Sequence, residues 1–226
     1  FISAWDQETY IVDINNSTIM DPVTPVVSGL PFKDTSLESP AFDKAAATEY
    51  FKKAFGGKLW EVGFKLDLLF NTGNANREAG SKRLAENVAS LNPKFVLNVR
   101  GVEWSAYVDN IRKSNMPIFF IGWAPDYPDP DNYVQPYMHS EGHYAGRCSY
   151  SNPVVDKLVE EAAVSLDPKE RERMYFELQQ IWIDDAVGIM NHQALSRVYM
   201  KDWVKGYFFN PMQSDPYDLL PYLTKE

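Results

Sequence analysis

Between Gly63 and Asn71 the apolar side chains Phe64, Leu66, Leu68 and Phe70 alternate with Lys65 and Asp67, the period of two that lays one face of a strand on a core. The spacing then lengthens: Leu84, Val88 and Leu91 fall on one helical face over residues 75–92. Residues 95–104 read as a second strand, 105–115 as a short helix, and the apolar run Pro117–Trp123 as a third strand. This alternation predicts right-handed crossovers onto a mostly parallel sheet with helices on its faces, an α/β class. Such sheets bind ligands at the carboxyl ends of their strands, and the third strand leads there into WAPDYPDPDNY over 123–133.

Elsewhere the pattern is punctuated. Prolines at 22, 25, 31 and 40 predict an extended loop over 19–40. Ser39-Pro40 reads as a helix start, with Phe42, Ala46 and Tyr50 on one face until Gly56-Gly57 ends it. Asn152-Pro153 and Asp167-Pro168 each open a helix, the second with Glu170 at the third position and an apolar stripe of Met174, Leu178 and Ile181. Residues 187–200 read as a strand and 205–226 as an extended, proline-broken tail. No internal repeat interrupts this order.

A 45% hydrophobic and 23% charged composition over 226 residues is that of a folded globular chain, which excludes disordered and fibrous classes. With 22 Lys and Arg against 31 Asp and Glu, and no basic run, nucleic acid is not an expected partner. Aromatic residues make up 14%, an excess suited to cores and ligand clefts alike. The lone Cys148 forms no intrachain disulfide, so cysteine usage does not identify the compartment. The chain contains no apolar run of membrane-spanning length, and it opens with neither a basic nor an apolar leader; the start without Met suits a piece of a longer protein.

Three chemistries are open to the acidic and histidine residues. Asp126, Asp129 and Asp131 invite calcium, but prolines stand where a calcium loop alternates its ligands around a glycine. His139, His143 and Cys148 fit a zinc or nickel site poorly, since His-x3-His shares a face only on a helix and this stretch is a poor helix former. A carboxylate-dependent hydrolase would draw on Asp126 and Asp129, with nothing to set their acidities apart. The expectation is no metal, no cofactor and no catalysis.

Taken in order, Gly63-Phe64, Glu103-Trp104, the Gly122–Asn132 loop, Asn152–Leu158, Glu170–Gln179 and Val204–Gly206 resemble family 5 of the extracellular solute-binding proteins, the dipeptide, oligopeptide and nickel-binding family of ATP-driven (ABC) importers. The resemblance implies a type II periplasmic-binding-protein lobe and a transport role. Residues 1–200 would form the second lobe of a two-lobed clamshell of roughly double this length, and 201–226 a return toward the first lobe. It further implies a periplasmic or extracellular, cell-surface location, a signal peptide lost with the preceding half, and a membrane permease as partner. The solute is expected to be a peptide or one of similar size, the alternative being an oligosaccharide.

The same resemblance places ligand contacts at Trp123, Asp126, Tyr127 and Asn132. Asp126 matches the position whose carboxylate pairs with a peptide's free α-ammonium, since a buried ammonium needs a charged acceptor. Left to the residues alone, Asp126 also reads as a turn cap, and Trp123 reads equally as a cleft wall or as core. Pro125 departs from the small residue usual before this Asp and removes a backbone N–H, which weakens peptide-type recognition.

Overall fold

The computed structural model describes residues 1–195, 197–208 and 221–225. Its elements are α1 (Gln7–Thr9), β1 (Ile19–Met20), α2 (Lys44–Lys53), α3 (Lys58–Val62), β2 (Phe64–Asn71), α4 (Ala75–Leu91), β3 (Phe95–Val102), α5 (Trp104–Arg112), β4 (Ile118–Phe119), α6 (Asp131–Met138), α7 (Pro153–Val164), α8 (Pro168–Asp184), β5 (Gln193–Ala194), β6 (Val204–Lys205) and β7 (Thr224–Lys225).

The alternating apolar positions put β2 at the centre of a parallel sheet ordered β3-β2-β4, with Phe64 opposite Phe95, Asn71 opposite Val102 and Leu68 opposite Ile118. Leu68 and Phe70 point into a core shared with Leu84 and Val88 of α4 and Phe51 of α2, and Phe64 and Leu66 pack against it. Leu69 faces the other way, into a smaller cluster with Tyr107 and Ile111 of α5. Both faces of β2 are thus covered toward its carboxyl end, as the α/β class requires. A third cluster joins α6, α7 and α8 through Val134, Val155, Leu178 and Trp182, and Val26 of the proline-rich loop packs into it.

Helix starts follow side-chain capping. Asn152 accepts from the Val154 N–H and Asp167 from the Lys169 N–H, so both expected helices begin where the sequence places them. Met174 and Leu178 of the expected stripe are buried, and Ile181 packs partly against the same core.

Four local expectations are corrected. The helix expected from Ser39-Pro40 begins at Lys44, because the Asp43 carboxylate accepts from both Ala45 and Ala46 N–H groups. Its buried face is Ala47 and Phe51, leaving Phe42 and Tyr50 exposed. The strand expected over 117–123 keeps ladder pairing only at Ile118 and Phe119. The strand expected over 187–200 contracts to Gln193–Ala194, paired antiparallel with β1, since its neighbours bond elsewhere: the Gln193 side chain docks on Ser28, and Gln7 donates to the Asn191 carbonyl. Finally, α6 starts inside the presumed loop. Of the expected extended tail, 209–220 and 226 lie outside the described residues, while β6 and β7 pair antiparallel near its two ends.

Candidate ligand-binding site

Beyond β4 the Phe120 N–H still donates to the Leu69 carbonyl (3.0 Å), and the chain then leaves the sheet as the loop that ends in α6. Two anchors hold this loop. Asn132, buried in the first turn of α6, accepts at Oδ1 from both the Trp123 indole N–H (2.9 Å) and the Asp126 backbone N–H (3.0 Å). Asp129 accepts the Asp131 N–H (2.9 Å) and forms an ion pair with Arg171 of α8 (2.8 Å). Arg171 also donates to the Ala162 carbonyl and lies over the rings of Phe32 and Tyr175. One guanidinium therefore ties the loop to α7, α8 and the proline-rich segment, a charge-assisted contact stronger than a neutral one.

These anchors divide the acidic residues by role. Asp129 is committed to Arg171, and Asp131 accepts from the Tyr127 hydroxyl (3.0 Å). The Asp126 side chain is exposed, and among the described residues its carboxylate has no hydrogen-bond or ion-pair partner. A turn cap would engage that carboxylate locally; here the loop is capped by Asn132 and Asp129 instead.

Trp123 bridges both of its sequence readings. Its ring packs edge-on against Tyr144 (5.8 Å, 90°) and beside His143, and it also lines a cavity of about 680 Å³. That volume lies within the range of small-molecule sites. The cavity is lined by residues 117–123 and Pro125, by residues 186–194, and by the aromatic rings of Tyr137, Tyr144 and Trp182 among others. Tyr127, 42% exposed, stands outside it. The structure thus brings Trp123, Asp126 and Asn132 together by hydrogen bonds, with Asn132 buried beneath the loop and Asp126 displayed on it.

Two further polar groups, Arg77 and His192, line the cavity. Arg77 lies in the first turn of α4, where the Asn74 cap accepts from its N–H, and its guanidinium donates to Asn71 Oδ1 (2.6 Å). His192 also lines the cavity, and burial, reinforced by the Arg77 charge, pushes its pKa down, favouring the neutral imidazole. Burial likewise pushes the Tyr144 hydroxyl up to about 12, so the tyrosines of the wall stay neutral. Among the described residues no three His, Cys, Asp or Glu side chains converge as a metal site requires, and no helix is long and apolar enough to cross a membrane. His139 lies 3.4 Å from Glu160, while His143 packs on Tyr144.

The model of the family "Bacterial extracellular solute-binding proteins, family 5 Middle" matches residues 2–145, taking in the whole sheet, the acidic loop and α6. The probable D,D-dipeptide-binding periplasmic protein DdpA of Escherichia coli is 33% identical over 113 residues, 49% of this chain and 22% of that protein. The periplasmic oligopeptide-binding protein OppA of Haemophilus influenzae is 26% identical over 202 residues, 84% of this chain and 36% of that protein. Among solved structures, the periplasmic binding protein DppA from Helicobacter pylori in complex with the peptide STSA superposes with a TM-score of 0.83 at 21% identity, over 100% of this chain and 43% of that one. The unliganded open form of the murein tripeptide binding protein MppA gives 0.73 at 20% identity, over 99% and 43%. The chain therefore spans less than half the length of these relatives, and the fold is that of a periplasmic binding protein. Because the match runs from Ile2 through the sheet and the anchored loop to the far side of α6, the chain belongs to the bacterial extracellular solute-binding proteins of family 5.

Proposed function

We propose that this chain supplies the second lobe of a substrate-binding component of an ABC importer, capturing a peptide or similarly sized solute in an interlobe cleft and presenting it to a membrane permease. In this reading residues 1–200 form the lobe, residues 201–226 return toward the first lobe, and the protein works in the periplasm or at the cell surface. The printed names of its relatives, dipeptide-, oligopeptide- and murein peptide-binding periplasmic proteins, support the peptide class and the location.

The observation that carries the reading is Asp126. Its loop is fixed from beneath by Asn132 and from the side by Arg171, yet its carboxylate is unpaired among the described residues and exposed beside an aromatic cavity. An exposed carboxylate costs nothing in the open state. On closure it needs a cation, and a ligand α-ammonium supplies one. Trp123 and Tyr127 flank it as apolar surface with polar tips.

Calorimetry on the full-length protein tests this. A peptide with a free amino terminus should bind, its N-acetylated form should bind poorly, and Asp126→Asn should weaken the free-amine peptide by about 2–5 kcal/mol, the range for breaking a buried charge pair. If oligosaccharides bind instead, or if Asp126→Asn lowers only the melting temperature, the ammonium role is wrong.

A further inference from the structure

α2 and α3 are joined by a turn, Ala54–Gly57, in which Phe55 takes the left-handed conformation (φ 52°, ψ 39°) ahead of Gly56 and Gly57. A bulky side chain is strained there, and a glycine would serve the turn at no cost. Phe32 has a similar φ of 61°, but its ring stacks on Tyr175 and packs on the core of α6, α7 and α8. Phe55 has no such return: it is 81% exposed and joins none of the hydrophobic clusters among the described residues. Tyr50 on α2 and Val62 on α3 are exposed on the same helical hairpin. Charge gathers there too. Residues 44–65 hold Lys44, Lys52, Lys53, Lys58 and Lys65 against Glu49 and Glu61, a positive surplus on a chain of formal net charge -9. Lys52 pairs with Glu49 (3.0 Å), whereas Lys53 and Lys58 are exposed and, among the described residues, belong to no ion pair. Lys53 shares a helical face with Tyr50, and Lys58 with Val62. The hairpin stands at the amino ends of β2 and β3, where α3 runs through Gly63 into Phe64 opposite Phe95. Neither Phe55, Lys53 nor Lys58 lines the cavity.

We propose that this hairpin is a contact site for an anionic lipid surface, with the Phe55 ring inserted at headgroup level and Lys53 and Lys58 on the phosphates. Apolar side chains that project singly from a turn, with lysines between them, suit a fluid interface that closes round each one; a protein partner would have to offer Phe55 a fitted pocket. The lysine stems lie along the apolar boundary while their ammonium groups stay with the phosphates. Insertion also gives a use to a ring whose backbone conformation costs the fold free energy. The net charge of -9 repels an anionic surface as a whole, so the basic hairpin leads the approach, and the Asp126 loop leaves the sheet at the other ends of the strands. The periplasmic or cell-surface location proposed above brings such a surface within reach.

The test is co-sedimentation of the 226-residue protein at low ionic strength with vesicles of equal parts phosphatidylglycerol and phosphatidylcholine, and with vesicles of phosphatidylcholine alone. The anionic vesicles should bind at least about tenfold more tightly, against the sign of the net charge. Phe55→Gly should weaken that binding at least about threefold while leaving the melting temperature unchanged or higher, since glycine relieves the positive φ. Lys53→Glu combined with Lys58→Glu should weaken it at least about tenfold. Leu166→Ser, at an exposed position between α7 and α8, should leave it unchanged; circular dichroism on each variant verifies folding. Equal binding to both kinds of vesicle, or binding that survives Phe55→Gly or the charge reversal, would overturn the proposal. A lower melting temperature for Phe55→Gly would do the same by giving the ring a structural role, and no binding at roughly 1 mM lipid would leave the hairpin to a protein partner. No solute is present, so none of these outcomes touches the Asp126 reading.

Discussion

Asn132 receives two N–H groups on one carbonyl oxygen, the Trp123 indole and the Asp126 amide, and so sets the height of the loop above α6. Asn132→Ala would leave both donors without an acceptor in a half-buried setting, at roughly 1–3 kcal/mol. The melting temperature should fall accordingly, and the Trp123 fluorescence should shift to the red as the ring loosens from Tyr144. An unchanged melting temperature would mean that water replaces Asn132 without loss. At this scale the sequence grouped Asp126, Asp129 and Asp131 but did not separate them, because the separation comes from Arg171, 42 residues beyond Asp129. The family resemblance points to Asn132 as a ligand contact, whereas its buried, anchoring geometry is set by the tertiary structure. Arg77 leaves only a faint local trace, a cation in the first turn of a helix set against the dipole.

Among the elements, α4 meets Tyr10 and Trp5 of the amino-terminal segment at Gly80. A Cβ there would lie 2.6 Å from Cε2 of Tyr10, and Tyr10 is fully buried, so its ring has no room to retreat. Alanine would gain up to about 1 kcal/mol of helix propensity, but overpacking a rigid contact costs about 1–3 kcal/mol, and the clash should win. Gly80→Ala is therefore expected to lower the urea midpoint; a rise would show that Tyr10 moves freely. The sheet and the two long helices after residue 152 were legible because period and caps agree there. The start of α2 was misplaced because Ser39-Pro40 carries a valid start signal that Asp43, with two backbone donors, outcompetes. α6 was hidden by the prolines at 128, 130 and 136, although Pro136 sits inside the helix with its ring buried. The contraction of 187–200 depended on Gln7, Ser28 and β1, none of them near in sequence.

At the level of the whole molecule, the cavity beside the Asp126 loop is lined from both halves of the chain, by residues 117–123 and Pro125 and by residues 186–194. In the proposed clamshell such a lobe offers one wall of a cleft. Closing a second wall over the ligand excludes water, strengthens the Asp126 contact and distributes apolar burial over two surfaces. The affinity should accordingly belong to the pair of lobes, with the isolated chain contributing only the weak capture of a group that fits its own cavity. The most direct measurement is calorimetric titration of one free-amine peptide, chosen from the panel that stabilises the full-length protein, into that protein and into the 226-residue chain under identical buffer. The clamshell account predicts affinity for the chain weaker by at least about a hundredfold, equivalent to roughly 2.7 kcal/mol; equal affinity for the two would contradict it.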